Sequence, residues 1–387
     1  MTKIIPTLSK MWHKVLNLES TLFPTLKEEL RLKELTSKEQ KLISILDFAE
    51  IENNITVVTI TNTPKDREEC ARAFIAKSVY NLQTTRDLID RLHIDRTLRI
   101  LCGWRYKTDI PSESKFSRVF KELSDLKIAE KTHEKFIKVY LRDKLFFYNA
   151  TDATKIPLRQ KPVKVEKEKP KPKKRGRPKK SETREPIKPS ILKQQVEMQT
   201  VDEKLTLVST DCGVGVKQNS KGNREVWIGA KLHISAVDGD IPIVAFYSGA
   251  NVHDSSVALP LIQESSKRVN YLYDLQDAGY DANIIREFST KLGHRPMIDI
   301  NPKNSKVLKE KIELLKHERE SFKAINQHLN LDKAHYNQRS KVERVNKYLK
   351  DDFGCDKIYY QGATKVSSVL AFGILSVCIH QSLKLVT

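Results

Sequence analysis

The chain has 387 residues, 39% of them hydrophobic and 30% charged, with 69 Lys and Arg against 49 Asp and Glu for a formal net charge of +20. That apolar fraction excludes a wholly disordered chain, and the length accommodates two or three domains with a sizeable core. The charge favours polyanionic partners, nucleic acid or an anionic membrane surface, while five scattered cysteines with no Cys-x-x-Cys pair argue against a disulfide framework or a thiolate zinc site and suit a reducing cytoplasm.

The start, Met1-Thr-Lys-Ile-Ile-Pro6, lacks the charged, apolar, small-residue order of a secretory signal. Residues 1 to about 143 then read as helical. Asp66 to Leu101 predicts one or two helices whose apolar stripe is Ala71, Phe74, Ile75, Val79 and Tyr80. After a loop beyond Trp104, Pro111-Ser-Glu-Ser114 opens a helix through Leu123, with Phe116, Val119, Phe120 and Leu123 on one face and Lys115, Arg118 and Lys121 outside it. Short helices with a basic outer face suit a helix-turn-helix DNA reader, and a helical bundle with a solvated charged face accounts for them equally well.

Two apolar, strand-like runs follow, Leu145 to Asp152 and Leu205 to Asp211, each closing on an aspartate. Between them, Lys155 to Lys193 holds sixteen Lys and Arg, four Glu and seven Pro in 39 residues, so this one segment carries +12 of the net +20. It cannot bury enough surface to offset its ordering entropy, and its prolines forbid a helix, which predicts a flexible basic arm. Further on, Trp227–Val237 and Ile241–Tyr247 flank Asp238-Gly-Asp240, a hairpin signal. A helix from about Ser255 to Arg268, a strand Val269–Leu275, a helix after Asp281, a strand Arg295–Ile300 and long helices from Lys306 onward complete a mixed α/β sheet flanked by helices. The apolar stretch Val366–Ile379, broken by Ser367, Ser368 and Ser376, falls short of the roughly 20 residues of a membrane span and reads as a buried core helix.

The chemistry concentrates in the last third. Tyr336, Arg339, Glu343 and Lys350 are spaced so that about 100° per residue places all four on one helical face, beside a separate apolar stripe of Val342, Val345 and Leu349. Taken alone, such a quartet reads as an exposed face laced with ion pairs. Asp277, where a strand gives way through Gly279 to a helix, supplies a second acid at the kind of strand end where sites collect, and Asp152 and Asp211 end apolar runs in the same way. Carboxylates gathered at one edge repel one another unless a cation neutralises them, and hard oxygen ligands suit Mg²⁺ or Mn²⁺. His253 and Asp254 stand near the same edge, with Asp254 equally placed to cap the following helix.

Residues Leu98 to Thr387 resemble an insertion-sequence transposase of the DDE type, in the insertion-sequence-four-like superfamily with its Tyr-x2-Arg-x3-Glu-x6-Lys signature. The likeness runs through Cys102-Gly-Trp104, Ile110-Pro-Ser-Glu113, Asp152-Ala-Thr154, Trp227 to His233, Asn251-Val-His-Asp254, Tyr273 to Asp281, Ile298 to Pro302 and Tyr336 to Lys350. The resemblance implies an RNase H-like core whose Asp, Asp and Glu hold two divalent ions, Mg²⁺ or Mn²⁺. Asp277 and Glu343 match the second and third acids. The first matches Asp152 in its Asp-x-Thr string, with Asp211, only 20 residues before Lys231, as the alternative first carboxylate. By the same resemblance Tyr336, Arg339 and Lys350 position DNA, and the ions activate water or a 3′-hydroxyl for in-line attack on a phosphodiester.

Within the arm, Lys173-Lys-Arg175-Gly176-Arg177-Pro178-Lys-Lys180 resembles an AT-hook, two arginines entering a narrow A·T minor groove around a glycine that lets the backbone approach. The expected organisation is a helical DNA-binding region over 1–143, a first core strand over 144–158, the arm over 159–195 and the rest of the core over 196–387. The expected function is a DNA transposase that cleaves and joins transposon ends as a dimer on double-stranded DNA, in the prokaryotic cytoplasm at the nucleoid and without a membrane partner. The alternatives are a domesticated, non-catalytic DNA-binding protein of the same fold and an RNase H-like nuclease that cuts but never joins.

Overall fold

The computed structural model describes residues 35–56, 66–163, 189–218, 222–301, 305–307, 309–310, 313–314, 317 and 337–385. Its N-terminal part is helical: α1 (Ser37–Ala49), α2 (Glu52–Thr56), α3 (Arg67–Val79), α4 (Thr85–Ile94), α5 (Arg96–Cys102), α6 (Glu113–Asp125) and α7 (Ile128–Tyr140). The stretch expected to be one or two helices is three. Asn81 takes a positive φ of 56°, Thr84 caps α4 in a reciprocal box with Asp87, and the Asp95 side chain accepts from Leu98 N at 3.0 Å, so each break has a local cause. On α6 the predicted apolar face, Phe116, Val119, Phe120 and Leu123, is buried, while Lys115 pairs with Asp66 and Lys121 with Asp125.

The sheet has six strands: β1 (Leu145–Pro157), β2 (Gly213–Gln218), β3 (Arg224–Val237), β4 (Ile241–Gly249), β5 (Asn270–Gln276) and β6 (Arg295–Ile298). β3 lies antiparallel between β1 on one side and β4 and β2, end to end, on the other; β5 and then β6 extend the sheet parallel to β1. This is an RNase H-like mixed sheet. Short helices α8 (Ile191–Glu197) and α9 (Val201–Thr206) precede β2, and α10 (Ala258–Arg268) crosses one face, where Ser265 Oγ donates to Ser235 Oγ at 2.9 Å. α11 (Asn283–Lys291) links β5 to β6, and α12 (Ser340–Lys347), a π-helical turn Tyr348–Asp352 and α13 (Ala363–Lys384) cover the opposite face.

The apolar stretch ending the chain is a core helix, as expected. Among the described residues α13 is the helix long and apolar enough to cross a membrane, yet Val366, Leu370, Leu375, Val377, Cys378 and Ile379 are all inside the protein. Phe372 packs on Phe74 of α3 and Phe120 of α6, with ring centroids 5.8 and 6.4 Å apart, so the N-terminal helices and the sheet share one apolar core. All five cysteines are free and buried.

Two expectations about elements are corrected. Leu205 to Asp211 is not a strand: a Thr200–Glu203 capping box starts α9 instead, and the chain after Leu207 is irregular. β1 continues past the apolar run that closes on Asp152, within the strand expected over 144–158, because β3 pairs with it as far as Pro157. The basic arm is narrower than its composition suggests, since Lys155–Pro157 belong to β1 and Ile191–Glu197 form α8 behind the Ser190 cap. Residues 164–188, with the AT-hook-like residues Arg175, Gly176, Arg177 and Pro178, lie outside the described residues, as do most of the helices expected from Lys306 onward.

Candidate active site

The register of two parallel strands brings the first two acids together. Asn149 pairs with Asp274, Ala150 with Leu275 and Thr151 with Gln276, so the ladder ends one residue short of Asp152 and Asp277, leaving Asp277 at the end of β5 beside Asp152, whose carboxyl feels its charge. Asp277 leaves β5 and folds its carboxylate back to accept from Gly279 N at 2.9 Å. A Cβ at Gly279 would stand only 2.9 Å from that Asp277 oxygen, so the glycine makes the cradle possible. Burial pushes the Asp152 carboxyl up from an ordinary 3.8 to about 6. Lys217, the Ala153 backbone and Arg339 pull it down, and the Asp277 charge pushes it up.

The third acid arrives on α12, which lies across β1 and β3. Val342, Val345 and Leu349 are fully buried, as their spacing predicts. Two bonds to the β3–β4 hairpin hold the helix in register. Lys341 pairs with Asp238 and sits 4.5 Å over the Tyr148 ring, and Arg344 grips both oxygens of Asp240 at 2.7 Å. Glu343 lies between these two anchors in sequence. It pairs with Arg339 at 3.1 Å, the same guanidinium whose charge acts on Asp152, so Arg339 links Glu343 to the aspartate pair.

Hard carboxylate oxygens on a desolvated Asp152 beside Asp277 suit a divalent cation. Glu343 is 54% exposed and turned to Arg339, and among the described residues no three His, Cys, Asp or Glu side chains close into a group that would hold a metal ion. The donors fit in kind, with two of the three drawn together and the third held one ion pair away.

The fold places the remaining candidates elsewhere. Asp211 lies exposed in the loop before β2, where its carboxylate accepts from Ser209 Oγ at 3.4 Å and its backbone lies against Gly249. Gly249 pairs with Ala230, and Ala230 with Ile156, so Asp211 is two strands over and four residues along from Asp152, on the side away from β5. Of the two aspartates, Asp152 is the one brought to Asp277. Lys350 sits in the π-helical turn, so the wheel that put it on the face of Glu343 does not hold past Lys347. Tyr336 lies outside the described residues. The His253 ring, not Asp254, caps the turn after β4, accepting from Ser255 N at 3.3 Å, while Asp254 pairs with Lys231 at 2.8 Å.

Sequence reasoning missed three neighbours. The Tyr280 hydroxyl is buried without a hydrogen-bond partner, and the charges of Asp254, Asp152 and Asp277 add to its burial in pushing the phenol up. Its signal was its place in the same Tyr273–Asp281 string that marks Asp277. Lys155 and Lys217 belong to strands whose alternation was not read past Asp152. Beneath the acids lies a buried polar layer: Ser289 Oγ donates to Asp274 at 3.0 Å, Asn149 Nδ2 approaches the same carboxylate at 3.5 Å, and Ser235 Oγ donates to Asn149 at 2.6 Å.

The family described as Transposase DDE domain matches residues 149–379, more than half of the chain and all of the sheet but the first four residues of β1, and a second, described as Transposase domain (DUF772), matches residues 29–122. No curated protein sequence matches significantly.

Proposed function

This chain belongs to the transposase DDE domain family, DNA-acting enzymes that generally use divalent metal ions, and on that footing we propose that it cleaves and joins transposon ends with Asp152, Asp277 and Glu343 as its acids. The observation that carries the reading is the parallel register of β1 and β5, which aligns Asp152 with Asp277 below the helix that bears Glu343. Asp152 and Asp277 would hold the metal, with Glu343 completing the set. When bound, two ions, Mg²⁺ or Mn²⁺, supply an acidified water or 3′-hydroxyl and charge stabilisation for the leaving oxygen.

The protein's own groups do the rest. Arg339, paired with Glu343, is the cation nearest the acids for a phosphate; Lys350 and Tyr336 grip the backbone. The Asp238–Lys341 and Asp240–Arg344 pairs hold α12 against the sheet, so that Glu343 is kept within reach of the aspartates. The quartet spacing supports placement in the insertion-sequence-four-like superfamily, and from that follow a dimer pairing two ends and action at the prokaryotic nucleoid. The arm's charge supports a minor-groove contact through Arg175, Gly176, Arg177 and Pro178, with residues 1–143 as a further DNA-binding region. Changing Glu343 to Gln is expected to abolish cleavage of DNA carrying the element's ends while leaving DNA binding intact; retained metal-dependent cleavage would remove Glu343 from the site.

A further inference from the structure

Three lysines from three elements gather around Glu225, and one of them, Lys217, also acts on Asp152. β3 passes β1 closely at Gly229, whose φ is +154° and where a Cβ would run into the Ile156 carbonyl oxygen. Beyond it one face of the β2–β3 hairpin carries Gly215 opposite Trp227 and Lys217 opposite Glu225; the other carries exposed Val214, Val216, Val226 and Ile228. The Trp227 indole lies across Gly215, and Glu225 forms an ion pair with Lys155 of β1. That pair ties the first face to β1.

Lys217 on this inner face is the strongest cation acting on Asp152. Its charge, with that of Lys155, also reaches Lys350, whose amine is lowered first by its own burial. Glu225 in turn feels Lys155, Lys217 and Lys350 together. Three cations thus surround Glu225, which Lys155 already holds, while Lys350 also feels Asp356 and Asp351. Among the described residues neither Lys217 nor Lys350 has a carboxylate within ion-pair distance. Like charges crowded beside an acidic site are stabilised by a polyanion laid across them.

We propose that the inner face of the β2–β3 hairpin is a track for the DNA phosphate backbone, in which Lys217 and Lys155 join Lys350 to hold the strand that enters the site at Asp152. The inference rests on the reading of Asp152, Asp277 and Glu343 as the cleavage site only for where the track leads, and it assigns no base contacts. Glu225 acts as a tether on Lys155 that the backbone must compete with.

The test is binding, without cleavage, of the full chain to a short mixed-sequence duplex across a salt series. Each phosphate contact contributes roughly 0.9 to the slope of log K against log salt, so Lys217→Ala should flatten that slope by about 0.9 and Lys155→Ala/Lys217→Ala by about 1.8. Lys217→Arg should restore it. Glu225→Gln should tighten binding and keep the steep slope, a change that a purely structural hairpin would not produce. Lys267→Ala, on α10 and paired with Glu264, serves as the control expected to leave the slope unchanged. Slopes unaltered in both Lys217→Ala and the double variant, with unfolding midpoints like wild type, would overturn the track whatever Glu343→Gln does to cleavage. A flattened slope together with a Glu343→Gln protein that still cuts would instead overturn the catalytic assignment and leave the track standing.

Discussion

Asp274→Asn probes the layer that supports the two aspartates. The Asp274 side chain is 1% exposed, and burial pushes its carboxyl from an ordinary 3.8 up to about 7 against the pull of hydrogen bonds from Ser289, Asn149 and Gln276. A folded value above the unfolded one means that the folded state holds the proton longer. Stability is therefore lost as pH rises through the window from about 4 to about 7 and is flat above it. Roughly three units at about 1.4 kcal/mol each make the ionised carboxylate a penalty of up to about 4 kcal/mol at pH 8. Asparagine removes that penalty and can still accept from Ser289, but its amide meets the Asn149 amide across the 3.5 Å contact, a mismatch costing about 1 kcal/mol. The variant should be about 2–3 kcal/mol more stable than wild type near pH 8 and about 1 kcal/mol less stable near pH 4. Urea unfolding at a series of pH values measures both arms. Parallel stability curves, or a variant no more stable at pH 8, would refute the argument that Asp274 is an ionised, desolvated acid.

Other substitutions test how the site is held. Asp238→Ala strips the partner from Lys341 and the acceptor from Phe147 N, and should cost about 2–4 kcal/mol in urea unfolding; a loss under about 0.5 kcal/mol would show that the hairpin does not anchor α12. Gly229→Ala forces a side chain onto the Ile156 carbonyl and should cost about 2 kcal/mol or more while weakening DNA binding through the hairpin, and wild-type values in both measurements would contradict the close approach of β3 to β1. Gly373→Ala places a Cβ 2.5 Å from Cys355 Sγ and 2.7 Å from a Leu349 methyl. Overpacking there should cost about 1–3 kcal/mol in a thermal melt, and an unchanged midpoint would mean that α13 can shift away from the π-helical turn.

Much of the fold could be read from periodicity and turn chemistry. The Asp238-Gly-Asp240 hairpin, the apolar face of α6, the Val342–Val345–Leu349 stripe and the buried final helix follow from patterns whose physics is local. The misreadings have physical causes as well. A short apolar run such as Leu205–Val208 fits a strand or a buried helix end equally, and the deciding Thr200–Glu203 box stood just ahead of it. The apolar run closes on Asp152, while the polar residues after it continue the strand because their ladder partners lie some 75 residues away on β3. Lys350 was placed by an ideal α-helical wheel that a π-helical turn interrupts. In the site, Asp277 and Glu343 were legible as an acid at a strand end and an acid on a patterned helix. Lys155 and Lys217 were not, because only the pairing of β1, β3 and β2 brings them together around Glu225.

The most direct test compares divalent-metal-dependent cleavage of DNA carrying the element's ends by the Asp152→Asn and Asp211→Asn proteins, with DNA binding measured alongside. The account predicts no cleavage by Asp152→Asn with binding retained, and near wild-type cleavage by Asp211→Asn, since the register carries Asp152 and not Asp211 to Asp277. Cleavage surviving in Asp152→Asn and lost in Asp211→Asn would contradict it.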